Sequence, residues 1–163
     1  VTVLADTETW DQAALRHVES VWASIDTNGV VEDTTDQIRR HVDYLIDSYF
    51  NGEQELVDPS NWMILALLAI SAKPDLEKDF AWRTLCSKQN DYGPENISRF
   101  MHKGLILRLH DKVARLENLL SSSREAQNEP ISDTYMDIVG YSVIGLMLLD
   151  GSFFYPMGYD WIE

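Results

Sequence analysis

The chain has 163 residues, 45% hydrophobic and 25% charged, which is enough apolar material for one sizeable core and excludes a mainly disordered chain or a long charged coiled coil. Against 27 Asp and Glu stand 13 Lys and Arg, a formal charge of -14, and this excess opposes bulk DNA or RNA binding unless a basic patch is built locally. The single cysteine, Cys86, excludes an intrachain disulfide or a thiolate zinc cluster made from this chain alone.

Trp10, Leu15, Val18, Val21, Trp22 and Ile25 recur at mostly three-residue spacing and predict an amphipathic helix stopped by Asn28-Gly29. A second helix is predicted from Thr35 or Asp36 to Phe50, carrying Ile38, Val42, Leu45, Ile46 and Tyr49 and ending at Asn51-Gly52. The third follows Pro59-Ser60 and runs from Trp62 to about Ser71 with almost no polar face, so burial in a core or a dimer interface is expected of it. A fourth spans Asp75 to Lys88, with acidic residues in its opening turns.

Beyond Pro94 a long helix is predicted to run to Leu120, with a stripe of Leu105, Leu109, Val113, Leu116 and Leu120. Pro130 suits the first position of a last helix extending towards Leu149, and the aromatic tail from Ser152 to Glu163 suits packing on a body or partner. With no convincing alternating run, the expected fold class is all-α, a bundle of about six helices. The longest apolar stretch, Ile138 to Leu149, is interrupted by Gly140 and Ser142 and is too short to cross a bilayer. No signal peptide is visible, so a cytoplasmic location is expected.

Three groups of residues could carry chemistry. Arg108, Asp111, Lys112 and Arg115 fall on one face of the long helix, flanking its apolar stripe, with Lys112 nearest to the stripe and Asp111 farthest from it. The plainer reading is a solvated face laced by internal ion pairs. Glu129, Asp133 and Asp137 follow at four-residue steps, and like charges so placed repel unless exposed, protonated or neutralised by a cation such as Mg²⁺. Favourable charge at a helix N-terminus also accounts for Glu129 and Asp133.

The run from Lys88 to Gly93 is expected to link two helices, with Tyr92 stacking on a base, Asn90 or Asp91 reading its polar edges and Lys88 near phosphate. Asn96 adds a possible contact, while a simple helix-ending turn explains the same residues. Cys86, the scattered histidines His17, His41, His102 and His110, and Met63, Met136 and Met147 are read as structural. Taken together, Asp111 and the acidic trio would hold a metal while Arg108, Lys112 and Arg115 neutralise phosphate oxygens.

The Asp91-Tyr92-Gly93 turn, the helix Arg108-Leu109-His110-Asp111-Lys112-Val113-Ala114-Arg115-Leu116 and the run Asp133-Thr134-Tyr135-Met136-Asp137 resemble the nucleotide modification associated domain 1 family of phage and bacterial proteins. That family looks related to the all-helical nucleoside triphosphate pyrophosphatases, the MazG-like enzymes and dimeric dUTPases. Chain length points to a single helical domain over 1–163, and the resemblance, which covers roughly Phe80 to Leu149, implies a nucleotide- and metal-binding core at 75–150 with helices from 1–72 packed on it. It further implies Mg²⁺ or Mn²⁺ dependence, a homo-oligomer, and cleavage of a nucleoside triphosphate to monophosphate and pyrophosphate, with Asp111, Asp133 and Asp137 as catalytic carboxylates. The pyrophosphatases bring a Glu-x-x-Glu pair to a Glu-x-x-Asp pair. Here no clear Glu-x-x-Glu is present, and Asp133 and Asp137 are four apart. The alternative function is a non-enzymatic nucleotide-binding or protein-interaction module associated with nucleotide modification.

Overall fold

Thr9 opens the first helix. Its side chain accepts the Gln12 backbone N–H at 3.4 Å while Gln12 Oε1 accepts the Thr9 N–H at 3.0 Å, satisfying two of the donors that a helix start leaves orphaned. The computed structural model describes residues 7–25, 32–52, 58–122, 126–127 and 129–158. Within them lie the helices α1 (Trp10–Ala23), α2 (Thr34–Phe50), α3 (Ser60–Ala72), α4 (Lys78–Tyr92), α5 (Glu95–Ser98), α6 (Met101–Ser122) and α7 (Ile131–Asp150), followed by a 3₁₀ turn at Ser152–Phe154. No strand occurs among the described residues, so the fold is all-α. The expected stop at Asn28-Gly29 and the tail beyond residue 158 lie outside the described residues.

The helices assemble around α7. Its long apolar run packs against α3 and α6, α2 lies on α3 and α6, and α1 bridges α4 and α7. The apolar face of α3 is used within the chain, with Trp62, Leu65, Ala66 and Ala69 all fully buried. Gly145 makes this packing possible, because a Cβ built there would overlap the Trp62 ring. The Trp62 indole thus rests on bare backbone.

Three expectations change. The fourth helix starts later than Asp75 and continues past Lys88 to Tyr92, because the residue able to end it is Gly93, which takes a left-handed φ of 72°. The single helix expected beyond Pro94 is two: α5 is one turn, and α6 restarts at Met101, whose φ of 53° interrupts the ladder. On α6 the stripe residues Leu105, Leu109, Val113 and Leu116 are fully buried, but Leu120 is 52% exposed in the last turn.

The His102 ring sits between Tyr49 and Trp62, with centroids 5.1 and 5.0 Å away, and its Nε2–H donates to the Gly145 carbonyl at 2.9 Å. Burial lowers the pKa of the imidazole, and the Gly145 bond opposes this only in part. At the other end the tail returns to α1. The Trp10 N–H donates to the Pro156 carbonyl at 2.8 Å, the Gly158 N–H donates to Asp11 Oδ1 at 2.7 Å, and the Phe153 ring meets Trp10 edge-on at 6.2 Å. Cys86 is buried, its thiol pushed up to about 12 by that burial and by the Asp11 charge, as suits a packing residue. Among the described residues no helix is long and apolar enough to cross a membrane.

Two outcomes follow from the Trp62 contact. Gly145→Ala is expected to lower unfolding stability by about 1–3 kcal/mol in a denaturant titration. Because His102 has a folded-state pKa below its unfolded value, the unfolded chain takes up the proton first as pH falls. Stability should therefore start to drop as pH falls through the unfolded-state value near 6.5 and go on dropping until the folded-state group is protonated, less steeply in His102→Gln.

Candidate functional site

Because α4 runs unbroken to Tyr92, residues three and four apart along it share a face. Ala81, Thr84, Leu85, Lys88, Gln89 and Tyr92 form one wall of a cleft of about 320 Å³. Met136, Asp137, Gly140, Tyr141 and Ile144 of α7 form the other, with Asn96 and Ile97 of α5 and Arg108 of α6 closing it. At Gly140 the two walls come together, since a Cβ there would already meet Leu85 Cδ1 at 3.5 Å. The volume lies near the lower end of the roughly 300–1,000 Å³ usual for small-molecule sites, and the mix of apolar walls with few polar groups is also typical.

Asp137 is the one carboxylate in the lining among the described residues. Lys88 Nζ donates to its Oδ1 at 3.1 Å, and Lys112 Nζ lies 2.8 Å from its Oδ2. The Asp137 side chain is only 17% exposed and that of Lys112 22%. Burial works against the Lys112 charge, but the bond and charge of Asp137, with smaller help from Tyr141 and Glu129, raise its pKa above the ordinary value.

Arg108 donates to the Asn96 carbonyl at 3.3 Å and lies 6.0 Å from the centre of the Tyr141 ring. No ion pair to a described carboxylate is made by it. Arg115 donates to Thr134 Oγ1 and, at 2.6 Å, to the Glu129 carbonyl. The basic residues of α6 thus form a ladder along its seam with α7, in a protein of formal charge -14.

The expected four-carboxylate metal site is not assembled. Among the described residues no group of three or more His, Cys, Asp or Glu could hold a metal ion. The Asp137 carboxylate is paired with two lysines, Lys88 and Lys112. Asp111 is exposed: Lys112 faces the seam, and one residue along a helix is a turn of about 100°. Asp133 is exposed in the first turn of α7, where the helix dipole suits a carboxylate. Glu129 is exposed and meets Arg115 through its backbone carbonyl.

Of the expected nucleotide contacts, Lys88, Tyr92, Asn96 and Arg108 line the cleft, and Lys112 stands behind Asp137. Asn90 and Asp91 are not in the lining and are exposed, because the helix that continues through them turns them off the Lys88–Tyr92 face. Thr84, Leu85, Gly140, Tyr141 and Ile144 were not singled out from sequence. Stepping three and four residues back from Lys88 and forward from Asp137 reaches every one of them.

Residues 88–149 match the family model described as nucleotide modification associated domain 1. The match begins at Lys88 and ends one residue short of the end of α7, taking in every charged residue of the cleft and leaving α1 to α3 outside. No curated protein matches the chain, and no solved structure does.

Lys112→Met leaves a half-buried carboxylate with one exposed partner and is expected to cost about 1–2 kcal/mol at neutral pH, the loss being moderated by solvent access. Since Lys112 has a folded-state pKa above its unfolded one, its contribution is complete below about pH 10 and fades as pH rises through the folded value. The stability gap between wild type and variant should narrow accordingly in alkaline denaturation curves.

Proposed function

We propose that the cleft between α4, α6 and α7 binds a nucleotide, and that the chain serves as a nucleotide-binding module in nucleotide modification. The observation that carries this reading is the local reversal of charge. In an acidic protein, two cations, Lys88 and Arg108, line a half-apolar cleft that holds one carboxylate, and a third, Lys112, stands behind that carboxylate; such a site favours an anion with an apolar, stackable body. The family match, which covers the end of α4, α5, α6 and nearly all of α7, adds a pointer to nucleotides.

In the bound state the base and sugar lie against Leu85, Ile97, Gly140 and Ile144, and the 65% exposed Tyr92 ring is available to cover the base at the rim. Gln89 offers an amide to polar edges, while Lys88 and Arg108 take the phosphate oxygens. Arg108 is suited to this because its fork is anchored by a backbone carbonyl and a ring rather than consumed by a carboxylate. The pyrophosphohydrolase reading lacks a resident carboxylate cluster among the described residues. A Mg²⁺ ion carried by the phosphates would be coordinated chiefly by phosphate and water oxygens.

Calorimetric titration with nucleotides tests the reading. Binding in the micromolar range is expected, weakened roughly tenfold by Arg108→Ala, as for loss of one charge-assisted contact. Pyrophosphate is not expected to be released with or without Mg²⁺. Sustained Mg²⁺-dependent release that Asp137→Asn abolishes would reinstate the hydrolytic reading.

A further inference from the structure

We infer that the cleft is built for a nucleoside monophosphate rather than a triphosphate, with Asp137 setting that preference. The inference rests on the nucleotide reading above and narrows it. Lys88 and Arg108 line the cleft, Lys112 adds a third cation behind it and Asp137 subtracts one charge. Three cations less one carboxylate leave a net charge of two, matching a phosphate monoester at about -1.5 to -2. A triphosphate carries roughly twice that or more, and sites for it supply further cations or carboxylates that hold Mg²⁺ on the phosphates.

Neither provision is available in the cleft. Arg115, the next cation along α6, is bonded to Thr134 Oγ1 and the Glu129 carbonyl and is not in the lining. The carboxylate that is present has both oxygens bonded to ammonium groups. The volume of about 320 Å³ also suits one nucleoside with one phosphate. A nucleic-acid strand is opposed by the formal charge of -14.

Asp137 acts as a specificity-determining residue in two ways. It ties Lys88 and Lys112 together from different helices, and it caps the positive charge that the phosphate end presents. Each ammonium has three donors, so Lys88 can keep Asp137 and still meet a phosphate oxygen. A second and third phosphate would add negative charge that the net charge of two left at the cleft does not balance.

The test is a calorimetric series on the wild-type chain using a nucleoside, its 5′-monophosphate and its 5′-triphosphate, for each common base, with and without Mg²⁺. The monophosphate is expected to bind at least as tightly as the triphosphate and roughly tenfold or more tighter than the nucleoside. Triphosphate binding tenfold tighter than monophosphate would overturn the inference while leaving nucleotide binding intact. No binding by any of the three would overturn the reading beneath it. Asp137→Asn should shift the balance towards the triphosphate by about tenfold, and an unchanged ratio would remove Asp137 as the determinant. Lys88→Ala alters an exposed side chain and leaves the Lys112 pair of Asp137 in place. Monophosphate affinity should fall towards that of the nucleoside, and an unaltered affinity would count against the assignment.

Discussion

Asp137 lies beneath two ammonium groups that arrive from different helices, Lys88 from α4 and Lys112 from α6, while its own backbone belongs to α7. Three helices are thereby fixed at one point by charge, at the place where their apolar faces separate to leave the cleft. A half-buried carboxylate costs free energy unless it is paired and hydrogen-bonded, and here both oxygens are satisfied. The same arrangement sets the electrostatics of the site, because it turns an isolated acid into a cluster with a net positive charge.

The packing below this point explains why the cleft persists. Gly145 lets the Trp62 ring lie against α7, and His102 fills the space between that ring and Tyr49 while donating to the Gly145 carbonyl. Four helices are involved in that small cluster, which holds α6 and α7 side by side. The basic residues Arg108, Lys112 and Arg115 of α6 then meet α7 in register along the seam, Arg108 over Tyr141, Lys112 on Asp137 and Arg115 on Thr134. Gly140 faces Leu85 of α4 one turn away from the Asp137 pairs.

Much of this was legible in the sequence. The periodic stripes place the helices, and the prediction that Lys112 lies nearest the apolar face and Asp111 farthest from it agrees with a half-buried Lys112 and an exposed Asp111. Asp137 immediately precedes the apolar Ile138 and Val139 in the chain, a position consistent with its burial. Its partners were not legible. A four-residue acidic spacing along one helix suggests a metal as readily as it suggests lysines from two others, and only the tertiary arrangement decides between them. Likewise Asn90 and Asp91 look like turn residues until Gly93 is seen to be the terminator, after which helical geometry turns them off the cleft face.

A co-crystal structure with a nucleoside 5′-monophosphate tests the central claim most directly. The account predicts the phosphate within hydrogen-bonding distance of Lys88 and Arg108, the base between the apolar walls, and Asp137 still bonded to Lys112. A ligand seated elsewhere, or Asp137 released from both lysines to share a divalent cation with Asp111 and Asp133, would contradict it.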